Sequence, residues 1–258
     1  MSEHVRIVTE DGVLRITLAR PEKKNSLTQP MYTELANALT RAETDASVRV
    51  VLLEAEGDAF TAGNDLGDFA AVASGKLDRN AMTTVQFLDA LAHARKPLVA
   101  AVNGLAVGIG VTMLLHCDLV FVADDAKLST PFVNLALVPE AASSVLLQAR
   151  IGYARAYAMF ALGEPIDGRT AASIGLANAS LPASEVRGAA LAAAKKLASK
   201  PLGALQATKQ LMRDGAAIAA VMKKESEIFG ARLSSPETAE ALRAFAERRA
   251  PDFSKFSG

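Results

Sequence analysis

Hydrophobic and polar positions alternate with period two at Val5–Thr9 and again at Val13–Leu18, and Asp11-Gly12 between them is a hairpin turn signal. Pro21 to Asn25 is a polar loop. From Met31 to Asp45 the period lengthens, with Leu35, Ala38, Leu39 and Ala42 spaced to face a core, which predicts a helix. Val48–Ala55 reads as a buried strand that stops at Glu56-Gly57-Asp58. Ala81 to Ala94 is predicted helical on Val85, Leu88 and Leu91. Leu98–Val102 is an unbroken apolar run, expected to be a strand covered on both faces. Asn103-Gly104 turns the chain toward Gly108-Ile109-Gly110, a helix is expected through about His116, and Leu119–Ala123 is a further strand. Strand, glycine-bearing turn and helix thus recur, which argues for an α/β fold.

From Ala154 onward the pattern is mostly helical. Asp167 and Ser235 read as N-caps, the latter with Pro236 at the first helical position. Ala189 to Ser199, Leu202 to Arg213, Ile218 to Phe229 and Glu237 to Arg249 are predicted helices. Residues 1–200 are expected to form the core and 201–258, after Lys200-Pro201, a helical region suited to oligomerisation and to covering a site.

The 258 residues are half hydrophobic, with a formal net charge of zero and no block of Lys or Arg. That excludes the concentrated basic face that nucleic acid needs. The single cysteine, Cys117, allows no intrachain disulfide and suits a reducing compartment. His4, His93 and His116 are too dispersed for a metal site. The start of the chain lacks the pattern of a secretory signal, apolar runs are too short to span a bilayer, and Phe256-Ser257-Gly258 is not a peroxisomal address; a cytoplasmic location is expected.

One residue changes this picture. Between Leu128 and Ala149, Glu140 is the only charged side chain. It is either exposed on a turn or held in a dry pocket, where loss of solvation would raise its pKa and strengthen it as a proton acceptor. Two glycine-bearing turns could serve it. Ala62-Gly63-Asn64 follows a strand and Gly108-Ile109-Gly110 opens a helix, so each could expose backbone N–H donors. Two such donors aimed at one point would bind a carbonyl oxygen, and more tightly as it becomes negative. Equally, these glycines could simply make turns. The segment lacks the order of nucleotide-binding loops.

Arg20-Pro21 with Asn25-Ser26-Leu27, the run Phe60-Thr61-Ala62-Gly63-Asn64-Asp65-Leu66, the run from Lys96-Pro97 to Asn103-Gly104, Cys117-Asp118 before a strand, and Gly175-Leu176-Ala177 follow one another in an order that resembles the crotonase (enoyl-CoA hydratase/isomerase) superfamily over essentially the whole chain. The resemblance implies a spiral of ββα units followed by a C-terminal helical region, assembled as trimers or pairs of trimers. It implies acyl-CoA thioesters as substrates, with no cofactor beyond the coenzyme A they carry. By position, the Asn64 and Ile109 N–H groups would hold the thioester oxygen, and Ala62, Gly63, Asn64, Asp65, Leu66 and Gly108 would line the CoA groove. Lys23 and Lys24 would neighbour the CoA phosphates or be solvated loop charges.

Hydratases of this family use two glutamates, at positions that here carry Thr112 and Phe132. Neither can activate water as a carboxylate does. The Pro139-Glu140 dipeptide and Asn64 instead resemble the peroxisomal-type delta-3,delta-2-enoyl-CoA isomerases, whose single catalytic glutamate maps onto Glu140. The implied chemistry is a one-carboxylate proton shuttle, in which any upward pKa shift of Glu140 should be moderate. The alternatives are a hydratase or another acyl-CoA hydrolase or lyase, a non-catalytic binding protein on this fold, or a different acid among Asp65, Asp68 and Glu164. Asp65 is expected to cap the short helix that follows it.

Overall fold

The structure, a computed structural model, describes residues 3–65, 67–68, 71 and 83–256. Leu66 and residues 81–82, where the helix predicted from Ala81 would begin, lie outside the described residues. Strands β1 (Val5–Glu10) and β2 (Val13–Leu18) form the expected antiparallel hairpin. Asp11 and Gly12 both take positive φ, 51° and 78°, as the tight two-residue turn requires.

Helix α1 (Gln29–Thr44) then leads to β3 (Val50–Ala55) and β4 (Ala59–Thr61). Helix α2 (Thr84–His93) precedes β5 (Leu98–Val102) and β6 (Leu105–Val107). A single turn, α3 (Ile109–Thr112), runs into a 3-10 segment, Met113–His116, before β7 (Leu119–Ala123) and β8 (Lys127–Ser129). Each passage of the spiral therefore adds one strand to each of two sheets. The larger sheet is ordered β1-β2-β3-β5-β7-β10, with β10 at Ala179–Leu181; from β2 onward its pairings are parallel. The smaller is ordered β4-β6-β8-β9, with β9 at Ile166–Asp167. β3 and β5 are buried at every residue, as parallel strands covered on both faces must be. The result is an α/β spiral, as the recurring pattern predicts.

The helices that follow are α4 (Ser143–Ile151), α5 (Tyr153–Leu162), α6 (Gly168–Ser173), α7 (Ala183–Ala198), α8 (Leu202–Met212), α9 (Gly215–Leu233) and α10 (Pro236–Ala246). Asp167 and Ser235 cap as expected, accepting from the N–H groups of Thr170 and Thr238. α7 and α9 are longer than their apolar periodicity suggests; α7 has no side-chain cap, whereas Asp214 accepts from Ala217 N–H to start α9 three residues earlier than Ile218. Phe87 and Leu91 of α2 are fully buried in the core, with Phe87 tilted against Tyr32 of α1. Among the described residues no helix is long and apolar enough to cross a membrane.

Candidate active site

The spiral brings the two glycine-bearing turns together. After β4, Gly63 takes φ +90°, and a Cβ there would stand 2.8 Å from the Val107 carbonyl oxygen. Only glycine allows this segment to lie directly against the end of β6. Leu27 bridges it from the other side: Leu27 N–H donates to Gly63 O (2.8 Å) and Leu27 O accepts from Asp65 N–H (2.9 Å). In a parallel bridge that pattern turns the intervening Asn64 N–H away from Leu27. The Thr61 hydroxyl pins the loop by donating to Asn25 O (2.7 Å) and accepting from Gly63 N–H (3.0 Å). Opposite, Gly108 is tied to Ser129 O and takes φ +56°, and Ile109 is the first residue of α3. Among the described residues neither Asn64 N–H nor Ile109 N–H has a protein acceptor. Both residues, with Ala62, Gly63 and Gly108, line a cavity of about 370 Å³ whose remaining wall is largely apolar. Phe229 and Phe245, from α9 and α10, close it.

Glu140 faces a second, smaller cavity of about 80 Å³, walled by Leu88, Met222, Phe229 and Leu233. Asn64 and Phe229 line both cavities, so the paired donors and the acid look onto adjoining spaces. Glu140 is half-buried, and it lines this largely apolar cavity rather than standing on an open turn. Burial pushes the Glu140 carboxyl up to about 8, a hydrogen bond from Thr112 opposes the rise, and the nearby charge of Glu225 adds to it. That is larger than the moderate shift expected, because loss of solvation outweighs the Thr112 hydrogen bond. The fully buried Thr112 hydroxyl donates to Glu140 Oε1 at 2.5 Å. Phe132, at the other hydratase glutamate position, packs on Phe160 with ring centroids 6.1 Å apart.

The backbone after Glu140 is held in an uncommon shape. Ala141 and Ala142 take φ 60° and 56° in succession. The left-handed region costs a non-glycine residue about 1–2 kcal/mol. Three bonds hold the turn: Ser143 N–H to Glu140 O (3.0 Å), His116 to Ala141 O (2.8 Å) and Ala142 N–H to Glu225 Oε2 (2.6 Å). The guanidinium of Arg213 meets His116 Nδ1. A guanidinium only donates, so Nδ1 is the acceptor and Nε2 carries the proton toward Ala141 O. Burial first, then the charge of Arg213, holds His116 down to about 3, and it is neutral.

Tyr32 donates its hydroxyl to Asn64 Oδ1 at 2.5 Å. Burial, then the charges of Glu140 and Asp68, keep that phenol well above its usual range and protonated. Asp65 accepts from Gly67 N–H (3.1 Å), as a cap would, and pairs with Arg20 (3.0 Å). Asp68 accepts from Gln29 and Glu164 is exposed; none of the three rival acids lines either cavity. The side chains of Lys23 and Lys24 are exposed, and only the Lys24 carbonyl, which accepts from Ala62 N–H, touches the site. Among the described residues no cluster could hold a metal ion. Sequence reasoning missed Tyr32, His116 and Glu225, and saw Thr112 only as a missing glutamate. Tyr32 sits at a core-facing helix position, and Glu225 lies in the charged run Lys223-Lys224-Glu225-Ser226-Glu227, so neither carries a local signal.

A model of the family described as Enoyl-CoA hydratase/isomerase matches residues 8–255. Enoyl-CoA delta isomerase 2 of Rattus norvegicus is 34% identical over 96% of this chain, which spans 64% of that relative's length. The 2,3-dehydroadipyl-CoA hydratase of Escherichia coli (strain K12) is 33% identical over 98% of this chain and 99% of its own. Among solved structures, an enoyl-CoA hydratase/isomerase from Pseudoalteromonas atlantica T6c superposes with a TM-score of 0.92 at 38% identity, covering 98% of this chain and 100% of that one. OdaA of Pseudomonas aeruginosa does so at 0.89 and 44%, covering 95% and 99%. Isomerases and hydratases are thus matched at similar identity, and what they share is what this chain shares with both: it belongs to the enoyl-CoA hydratase/isomerase family of the crotonase superfamily.

Proposed function

We propose that the protein moves the double bond of an enoyl-CoA from the 3- to the 2-position, with Glu140 as sole proton carrier. The observation that carries this reading is the hydrogen bond from Thr112 to Glu140. Where a hydratase would place a second carboxylate, this site has a hydroxyl already committed to the first, and Phe132 fills the other glutamate position. Isomerisation needs one group that takes a proton and returns it; hydration needs water activated as well.

The thioester oxygen would accept from the N–H groups of Asn64 and Ile109. Ionised Glu140 removes a proton from C2, the C2–H electrons shift toward the carbonyl, and the dienolate charge gathers on the oxygen between the two donors. One such donor is typically worth ~3 kcal/mol in the transition state. The new C2–C3 double bond forms as C4 takes the proton back from Glu140, so atoms and charge balance with no further cofactor. A carboxyl titrating near 8 suits both halves: about a tenth is ionised at pH 7, and once protonated it is a competent acid.

The similarity to hydratases supports a second reading, in which Glu140 activates water on the same substrate class. We extend the proposal to assembly as trimers or pairs of trimers; the exposed, stacked Tyr153 and Tyr157 with Leu162 on α5 are apolar surface suited to it. Incubation with trans-3-hexenoyl-CoA, followed by the ultraviolet absorbance of the conjugated 2-enoyl thioester, tests the reading. Conversion by the wild type and its loss in Glu140→Gln are expected. No conversion alongside rapid hydration of crotonyl-CoA would replace it with the second.

A further inference from the structure

We propose that Glu225 and His116 are positioning residues for Glu140, holding the Ala141–Ala142 turn in the one conformation that presents its carboxylate to the cavity beside Asn64. The kinetic arm of this proposal rests on the isomerase reading; the structural argument does not.

Two successive alanines in the left-handed region do not persist without outside support. The support comes from distant parts of the chain. Glu225, on α9 and 7% exposed, spends both carboxylate oxygens on the turn, Oε2 on Ala142 N–H (2.6 Å) and Oε1 on Ser144 N–H (3.0 Å). α4 begins at Ser143 and has no side-chain cap of its own, so a residue on another helix satisfies the N–H groups that a local Ser or Asp would usually take. His116, fully buried after α3, donates from Nε2 to Ala141 O, and its tautomer is set by Arg213 at the end of α8. Arg213 also donates to the His116 carbonyl (3.1 Å). Opposed bonds thus fix the two residues that follow Glu140, an N–H on one and a C=O on the other. Met222 and Ser226, which flank Glu225 on α9, line the same small cavity as Glu140. The C-terminal helices therefore do more than roof the cavity: they set the direction in which the acid points. Among the described residues, the charged or titratable groups facing Glu140 are Glu225 from α9 and the Tyr32 phenol from α1.

Glu225→Gln and His116→Gln test this, with kcat and KM for 3-hexenoyl-CoA and the Glu140 titration followed by 13C NMR of protein labelled at the glutamate δ-carbon. Glu140→Gln identifies the resonance. Each variant is expected to lower kcat about tenfold or more, as misplaced catalytic groups do, with KM within about threefold. The Glu140 midpoint is expected to fall from about 8, most in Glu225→Gln, where the like charge is also lost. Folded variants that melt lower but keep the wild-type kcat and midpoint would overturn the proposal and leave a purely structural role. Should Glu225→Gln not fold, His116→Gln tests the other side of the same turn, and an unchanged kcat and midpoint there overturns it equally. If the wild type converts no 3-enoyl-CoA, the isomerase reading falls, while the midpoint still decides the positioning.

Discussion

Glu140 ought to destabilise the protein it serves, and Glu140→Gln measures by how much. The unfolded chain releases this proton near 4.5, whereas the folded site holds it to about 8. Between those values the native state binds one more proton than the unfolded state, so stability from this group is full below 4.5 and is lost as pH rises through 8. Each pH unit in that window is worth about 1.4 kcal/mol, which puts the cost on the order of 3 kcal/mol at pH 7 and nearly 5 by pH 9. Glutamine has the same shape, can still accept from Thr112 at Oε1 and never ionises. Urea unfolding of wild type and variant from pH 4.5 to 9 should give coincident stabilities at the acid end. The variant should be increasingly the more stable as pH rises, while the conversion of 3-enoyl-CoA expected on the proposed reading is lost. Parallel curves across that range would refute a desolvated, proton-holding Glu140.

His116 acts in the opposite sense. Held at about 3 when folded and near 6.5 when unfolded, it removes ~1.4 kcal/mol for each pH unit below 6.5, so between 4.5 and 6.5 it and Glu140 nearly cancel. His116→Gln should therefore show stability falling with rising pH there, and Glu140→Gln should show it rising, in the same urea titrations. Thr112→Val removes a hydrogen bond to the ionised acid, worth ~1.5–3 kcal/mol; the midpoint of the kcat/KM–pH profile should move above 8 and the rate at pH 7 should fall roughly tenfold. Gly63→Ala combines a φ of +90° with a Cβ 2.8 Å from the Val107 carbonyl; a loss of ~2 kcal/mol or more in thermal stability and a fall in kcat are expected, since the Asn64 N–H is displaced.

Much of the scaffold is legible along the chain because its causes are local. The β1–β2 hairpin is set by Asp11-Gly12, the buried strands β3 and β5 by continuous apolar runs, and two helix starts by Asp167 and Ser235 with their own side-chain caps. Helix α4 escapes such reading for a physical reason: its capping group is Glu225, more than eighty residues downstream, and its first residues follow two alanines in a conformation alanine does not favour. The strand β3 begins at Val50 rather than Val48 because Val48 closes a turn on Asp45 and gives its carbonyl to the buried Lys96 ammonium.

The sequence by itself determined the chemical parts: one acid isolated among apolar residues, two glycine turns able to expose N–H groups, and a threonine and a phenylalanine where a hydratase carries glutamates. The acid and the glycine turns follow from residue type and spacing, the hydratase positions from the family resemblance. What only the tertiary structure decided is how the parts act on one another. A pKa depends on what surrounds a carboxyl in space, and Glu140 is surrounded by Thr112 from α3 and Glu225 from α9. The direction of a side chain depends on the backbone beneath it, and that backbone is held by His116 and Glu225 across distances along the chain that no local pattern records.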